Sequence, residues 1–212
     1  MKKVILLIIP ILMLFGCSTE GDLKIINKTN HNIYFTVKGN DYILEGATDS
    51  IYPSKTISLD SGRKFLFFEG DGKKINLYLE GETFMMQKAD NSGIGTGEYE
   101  TETKVTIKPN ETTSIYTWPP THASVKVINN SGKDIVNFFY NTSYDQTLVF
   151  MTDDIPNGGM YYHRLDYATN QNWFYYEFKI VFDDFTEQTF GGSSESALYL
   201  DEQFLIELVL EE

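Results

Sequence analysis

An all-β chain built as two tandem antiparallel β-sandwich domains, immunoglobulin-like in size, is what three features of this sequence predict. Fifteen Phe and fourteen Tyr stand against six Pro in 212 residues, and flat aromatic side chains suit a pleated, half-buried surface. Apolar residues recur at every second position, as in Ile33, Phe35 and Val37, which is the period of a sheet wet on one face. The third feature is a repeat: Leu23-Lys24-Ile25-Ile26-Asn27-Lys28-Thr29-Asn30-His31-Asn32-Ile33 aligns with Val125-Lys126-Val127-Ile128-Asn129-Asn130-Ser131-Gly132-Lys133-Asp134-Ile135, an offset of 102 residues from Leu23 to Val125. A period that long fits a sandwich domain and exceeds any solenoid repeat.

Each copy of the repeat reads as a strand ending at Asn, a polar turn, and a second strand. In the first half Ile75, Leu77 and Leu79 alternate in the same way, and Arg63 to Glu69 and Thr103 to Lys108 add further strands. Asp60-Ser61-Gly62, Gly70-Asp71-Gly72 and Asn91-Ser92-Gly93 are glycine-bearing turns that accommodate positive φ. In the second half Phe174, Tyr176, Phe178, Ile180 and Phe182 form one core face, and Phe204, Ile206, Leu208 and Leu210 form another. Asn137 falls where Phe35 stands in the first copy, so the second strand of the second domain is expected in the other register. Between the halves lies Trp118-Pro119-Pro120-Thr121-His122-Ala123, whose consecutive prolines cannot donate to a ladder. The expected organisation is therefore a signal segment over 1–16, a tether over 17–22, one sandwich over 23–118, a linker over 119–123 and a second sandwich over 124–212.

The first residues carry a different message. Lys2 and Lys3 precede an apolar run from Val4 to Phe15, followed by Gly16-Cys17, the layout of a secretory signal. Twelve apolar residues at about 1.5 Å each fall short of the ~30 Å hydrocarbon core. Leu14-Phe15-Gly16-Cys17 resembles the lipobox of bacterial lipoproteins, with Phe15 standing where Ala or Ser is commoner. That resemblance implies cleavage before Cys17, a diacylglyceryl group on its thiol, frequent acylation of the new amine, and attachment to the membrane through lipid. Two or three acyl chains anchor a protein firmly where one would not. Ser18-Thr19-Glu20-Gly21-Asp22 resembles the sorting signals that follow the cysteine in surface lipoproteins of Bacteroidota, and Asp49-Ser50-Ile51 resembles their short O-glycan acceptor. The implied location is the bacterial cell envelope, at the outer membrane or cell surface.

Composition excludes several kinds of chemistry. Seventeen Lys and Arg against thirty Asp and Glu leave a net charge of −13, opposite to the clustered cations that bind phosphate backbones, so nucleic acid is not an expected partner. One Cys rules out a disulfide framework and multi-thiol metal sites. His31, His122 and His163 are the three histidines, placed by pattern in a turn, a linker and a strand, with no nucleophile motif around them. Gly93-Ile94-Gly95-Thr96-Gly97 lacks the Lys and helix of a phosphate loop. No cofactor and no metal are expected, although Asp153, Asp154 and Asn157 share a loop that could offer oxygens to calcium. Asp153-Asp154, Asp183-Asp184 and the series Glu98, Glu100, Glu102 are carboxylate pairs of a kind that glycosidases use across a cleft, yet adjacent strand residues point to opposite faces.

The feature that points to binding is aromatic. Trp173 and Tyr175 alternate onto the face opposite the Phe174–Phe182 core face, and Tyr161-Tyr162 are expected nearby; such platforms suit sugar rings or peptides. The sequence thus favours a non-enzymatic, lipid-anchored envelope protein that serves binding, adhesion or assembly with a protein or glycan partner. Its rival is an envelope glycan hydrolase working through paired carboxylates.

Overall fold

A computed structural model of the chain describes residues 20–61, 72–90, 92, 94–165 and 174–210. Cys17, the expected strand Arg63–Glu69 and Trp173 lie outside the described residues. The first half contains β1 (Glu20–Ile26), β2 (Ile33–Val37), β3 (Asn40–Leu44), β4 (Ser54–Asp60), β5 (Lys73–Gly81), β6 (Met86–Ala89), β7 (Gly95–Glu100), β8 (Glu102–Ile107) and β9 (Thr112–Tyr116). The second contains β10 (Ala123–Asn130), β11 (Ile135–Thr142), β12 (Val149–Thr152), β13 (Met160–Leu165), β14 (Tyr176–Phe182), β15 (Glu187–Gly191) and β16 (Gln203–Val209).

The two halves repeat one topology. A three-stranded sheet β4-β1-β9 faces a four-stranded sheet β3-β2-β5-β8, and β13-β10-β16 faces β12-β11-β14-β15 in the same manner. The first strand of each half pairs antiparallel with the fourth of its set and parallel with the last, Lys24 opposite Thr56 and Ser114, Lys126 opposite Tyr162 and Leu205. The four-plus-three division of seven strands is the immunoglobulin-like one, and counted within each half, without the β6–β7 hairpin, the order is 4-1-7 in one sheet and 3-2-5-6 in the other. The β6–β7 hairpin is an insertion peculiar to the first half.

Each sandwich closes its own core from the alternating residues. Leu23, Ile25, Ile33, Phe35, Val37, Leu77, Leu79 and Ile107 fill the first; Val125, Val127, Phe138, Tyr176, Phe178, Ile180 and Ile206 fill the second. At roughly 1.5–3 kcal/mol for each large apolar side chain buried, neither needs a covalent staple. Phe174 and Phe204 pack at the edge of the second core, whereas Leu210 stands exposed beyond the end of β16.

The register change expected at Asn137 has a local cause. Ile135 pairs with Phe182 and Asn137 with Val181, so Val136 is an extra residue, a β-bulge. Ile135 keeps the inward place of Ile33, and Phe138 drops into the place of Phe35. β1 begins at Glu20, inside the stretch expected as tether, because Glu20 to Asp22 pair with Asp60 to Ser58.

What the sequence repeat conserves is a buried amide. Asn27 Nδ2 donates to the carbonyls of His31 (2.8 Å) and Glu45 (2.7 Å), and its Oδ1 accepts from Thr29 N–H (3.0 Å), Thr29 Oγ1 (2.8 Å) and Thr117 Oγ1 (3.0 Å). Asn129 Nδ2 donates to Lys133 O (2.9 Å) and Ile155 O (3.0 Å), and its Oδ1 accepts from Ser131 Oγ (2.7 Å). Both asparagines are fully buried. Each ties the turn after the first strand to a neighbouring loop by satisfying backbone groups that would otherwise be orphaned.

Candidate functional site

The aromatic residues singled out in the sequence go to three different surroundings. Tyr161 faces inward, its ring edge-on to Phe138 at 6.3 Å and its hydroxyl donating to Met151 O at 3.2 Å. Burial raises its pKa. Tyr162, one residue on and therefore on the opposite face, meets the first sandwich: its ring stacks on Tyr34 at 5.5 Å and 4°, and its hydroxyl donates to Glu80 Oε1 at 3.2 Å. Burial first, then the Glu80 charge, push its pKa up to about 12. Tyr175 is half-buried. Its N–H donates to Ser143 Oγ and its carbonyl accepts from Ser143 N–H, both at 2.9 Å, which fastens the start of β14 to the loop after β11.

That loop forms a cleft of about 310 Å³, lined by Tyr140, Asn141, Thr142, Tyr144, Asp145, Thr147, Val149 and Phe174, at the small end of the range for ligand sites. The loop holds itself: Thr142 N–H donates to Asp145 O, Asp145 N–H to Thr142 Oγ1 and Thr147 N–H to Asp145 Oδ1, each at 2.9 Å. The Thr147 donors keep the Asp145 carboxyl below its usual pKa. Asn141 Nδ2 is held by Glu177 Oε1 at 3.2 Å. Tyr144 is 91% exposed, and Leu148, Val149 and Phe150 beside it are also exposed, so the mouth carries an aromatic ring and an apolar rim. Polar oxygens beside aromatic faces can bind a sugar ring or a peptide side chain.

A second cluster, which the sequence did not reveal, joins the sandwiches. Glu82, at 1% side-chain exposure, receives Lys126 Nζ (2.8 Å), Tyr34 OH (2.8 Å) and Gln203 Nε2 (2.9 Å). Glu80 takes Arg164 Nη2 at 2.9 Å, and Arg164 Nη1 donates to Gly81 O at 2.9 Å. Asp201, in the turn before β16, accepts from Asn30 N–H (3.0 Å) and from Thr83 Oγ1 (2.7 Å), and its carbonyl meets His31 Nε2 at 2.9 Å. Thr121 and His122 N–H groups both reach Thr83 O. The Pro-rich segment is therefore bonded to the first sandwich and does not act as a free spacer. Burial, then the Glu82 hydrogen bond and charge, raise the Tyr34 pKa. These acids and bases are spread along the chain from 30 to 203, and nothing in their local spacing marks them as partners.

Several of the remaining titratable candidates have structural partners. His122 is buried, with Nδ1 2.8 Å from Thr121 Oγ1 and its ring edge-on to Tyr99, and His163 Nδ1 lies 3.2 Å from Tyr161 OH. Asp184 pairs with Lys133 at 2.6 Å, and with the Thr186 donors this holds its pKa at about 2. Asn157 Oδ1 accepts from Gly132 N–H, and its own N–H donates to Asp134, so the loop expected to offer oxygens to calcium uses that amide in a turn. Among the described residues, no group of three His, Cys, Asp or Glu side chains is arranged to hold a metal ion, and no helix is long and apolar enough to cross a membrane.

No family model matches the chain, and no curated protein matches it. Among solved structures, the C-terminally truncated tip fimbrial protein Mfa3 from Porphyromonas gingivalis aligns over 81% of this chain and 81% of its own, at 7% identity and a TM-score of 0.25. A likeness at that level carries no argument about function, and the architecture above rests on this chain's own sheets.

Proposed function

We propose that the chain is a lipid-anchored, non-enzymatic protein of the bacterial cell envelope that binds a glycan or protein partner. Two observations support it: the lipobox-like Leu14-Phe15-Gly16-Cys17 at the head of the chain, and the aromatic cleft in the second sandwich, fastened to Tyr175 and bordered by Phe174. The cleft observation carries the binding role. Its exposed Tyr144 belongs to neither core, and exposed aromatics next to polar oxygens are a surface suited to recognition. Lipid at Cys17 would hold the first sandwich near the membrane and carry the second outward.

Anchor and binding are tested separately. Cys17→Ser should release the protein from the membrane fraction, because the thiol alone can accept the diacylglyceryl group; a Cys17→Ser protein that still sediments with membranes refutes the anchor. Tyr144→Ala should leave the melting temperature unchanged while weakening capture on a glycan array or from envelope extracts. Unchanged capture removes the cleft from the function.

A further inference from the structure

The junction between the two sandwiches has an unoccupied counterpart within the same chain. The repeat and the strand registers align the halves residue by residue: Gly81 and Phe182 face Ile33 and Ile135, so Glu82 corresponds to Asp183. Their N–H groups donate to Asn32 O and Asp134 O, themselves repeat equivalents, both at 2.9 Å. Likewise Asp201 corresponds to Asn110. Both have positive φ, 67° and 58°, and their N–H groups donate to the equivalent carbonyls of His122 and Glu20. Lys126 corresponds to Lys24, Arg164 to Ser58, and Tyr162 to Thr56.

The end of the first sandwich that carries Asn30, Glu82 and Thr83 is thus docked, while the matching end of the second, with Gly132, Asp183 and Asp184, is exposed. The matching acceptor face on the first sandwich, Lys24, Thr56, Ser58 and Asn110, is also accessible. The central charged pair converts directly. Glu82–Lys126 becomes Asp183–Lys24, again acid on base. In the junction the Asp201 carboxylate accepts from the Asn30 N–H and the Thr83 hydroxyl. In the counterpart, the Asn110 amide offers a donor to the Asp184 carboxylate, which Lys133 already holds at 2.6 Å, while the Gly132 N–H stays bonded to Asn157 Oδ1 at 2.9 Å. The Glu80–Arg164 pair becomes Val181 with Ser58, neutral on both sides, and stacked Tyr34–Tyr162 becomes Asn137 with Thr56. Asp22 stands in the place of Ser124, its carboxylate held by Ser58 Oγ at 2.7 Å. At the exposed end Phe185 is 83% exposed with φ 63°, and Leu210 is 64% exposed; such apolar anchors belong in an interface.

We infer that the far end of the second sandwich docks on the outer β4-β1-β9 face of the first sandwich in another copy of this chain, repeating the internal junction between molecules. Such a contact is heterologous, so it propagates head to tail. It involves no residue of the aromatic cleft, so it stands or falls separately from the binding role proposed above.

The test is charge reversal and cross-linking on the full chain in detergent. Sedimentation over a range of concentrations should show a series of head-to-tail species. Asp183→Lys and Lys24→Glu should each weaken association at least tenfold, and the chain carrying both should recover it. On oxidation, copies bearing Lys24→Cys mixed with copies bearing Asp183→Cys should give a disulfide dimer that neither variant gives alone, against a background set by the chain with its native Cys17. A protein monomeric at every concentration overturns the proposal, as do oligomers indifferent to both reversals. All the substituted side chains lie at the surface, so circular dichroism should report an unchanged fold.

Discussion

Replacing Asn27 by Leu keeps the branched heavy-atom outline of a fully buried side chain and removes all its polar atoms. The His31 and Glu45 carbonyls lose their amide donor, and the Thr29 N–H and the Thr29 and Thr117 hydroxyls lose their acceptor. Each buried polar group left unpaired costs about 1–3 kcal/mol. Hydroxyls can rotate toward other acceptors, so two or three groups pay in full, which gives roughly 3–5 kcal/mol. For a domain of this size about 4–8 °C accompanies each kcal/mol, so the transition of the first sandwich in a calorimetric scan should fall by at least about 12 °C. Asn129→Leu should act on the transition of the second sandwich and less strongly, since among the described residues a single hydroxyl, that of Ser131, bonds Asn129, with no counterpart of Thr117. Asn27→Leu shifting its transition by under about 4 °C would show that these groups are satisfied without the amide, and the account of the repeat would fail.

Other outcomes follow from the junction and the strands. Glu82→Ala leaves Lys126, itself 16% exposed, facing a lost partner; breaking such a buried pair costs about 3–5 kcal/mol, read by urea unfolding, whereas breaking the exposed Lys88–Glu98 pair should leave the urea midpoint where it is. The Tyr162 phenol is held neutral in the folded state, with its pKa near 12, above the unfolded value near 10. Its contribution is therefore complete below about pH 10 and is lost as pH rises toward 12. An ultraviolet titration should show late-ionising tyrosines, fewer of them in Tyr162→Phe, and titration of every tyrosine near pH 10 would refute it. Deleting Val136 should regularise β11 without turning Phe138 outward, so near-ultraviolet circular dichroism should keep the core signature; loss of that signature would mean that the bulge is required.

The strands were legible where the side-chain pattern is local. Ile33 to Val37, Ile75 to Leu79 and Tyr176 to Phe182 alternate in the sequence and alternate in burial, and the shared Asn of the repeat marks the turn that builds each hairpin. The Asn137 anomaly was legible as a register change, but the single added residue responsible shows itself only through the pairing of Ile135 and Asn137 with consecutive residues of β14. The site was less legible. Tyr161 and Tyr162 are neighbours in sequence, and strand alternation sends one to a core and the other to the junction. Glu80, Glu82, Arg164 and Asp201 meet only because two sandwiches dock, and no periodicity in one strand encodes what faces it from another domain. The cleft loop, Thr142 to Val149, is set by hydrogen bonds of Thr and Asp to nearby backbone, a local grammar too short to be distinguished from other polar turns.

The parallel pairing of β1 with β9 and of β10 with β16 has a mechanical consequence. Because each sandwich starts and finishes on parallel neighbours, its chain ends leave from opposite ends of the sandwich. Tension applied between residues 20 and 209 runs along the two ladders, from Asp22–Thr112 to Ile26–Tyr116 and from Ser124–Gln203 to Asn130–Val209. Such a pull must shear all the hydrogen bonds of a ladder together and cannot unzip them one at a time. A molecule tethered at its head and gripped at its far end would then resist traction along these ladders, and each sandwich would yield as one sudden lengthening event.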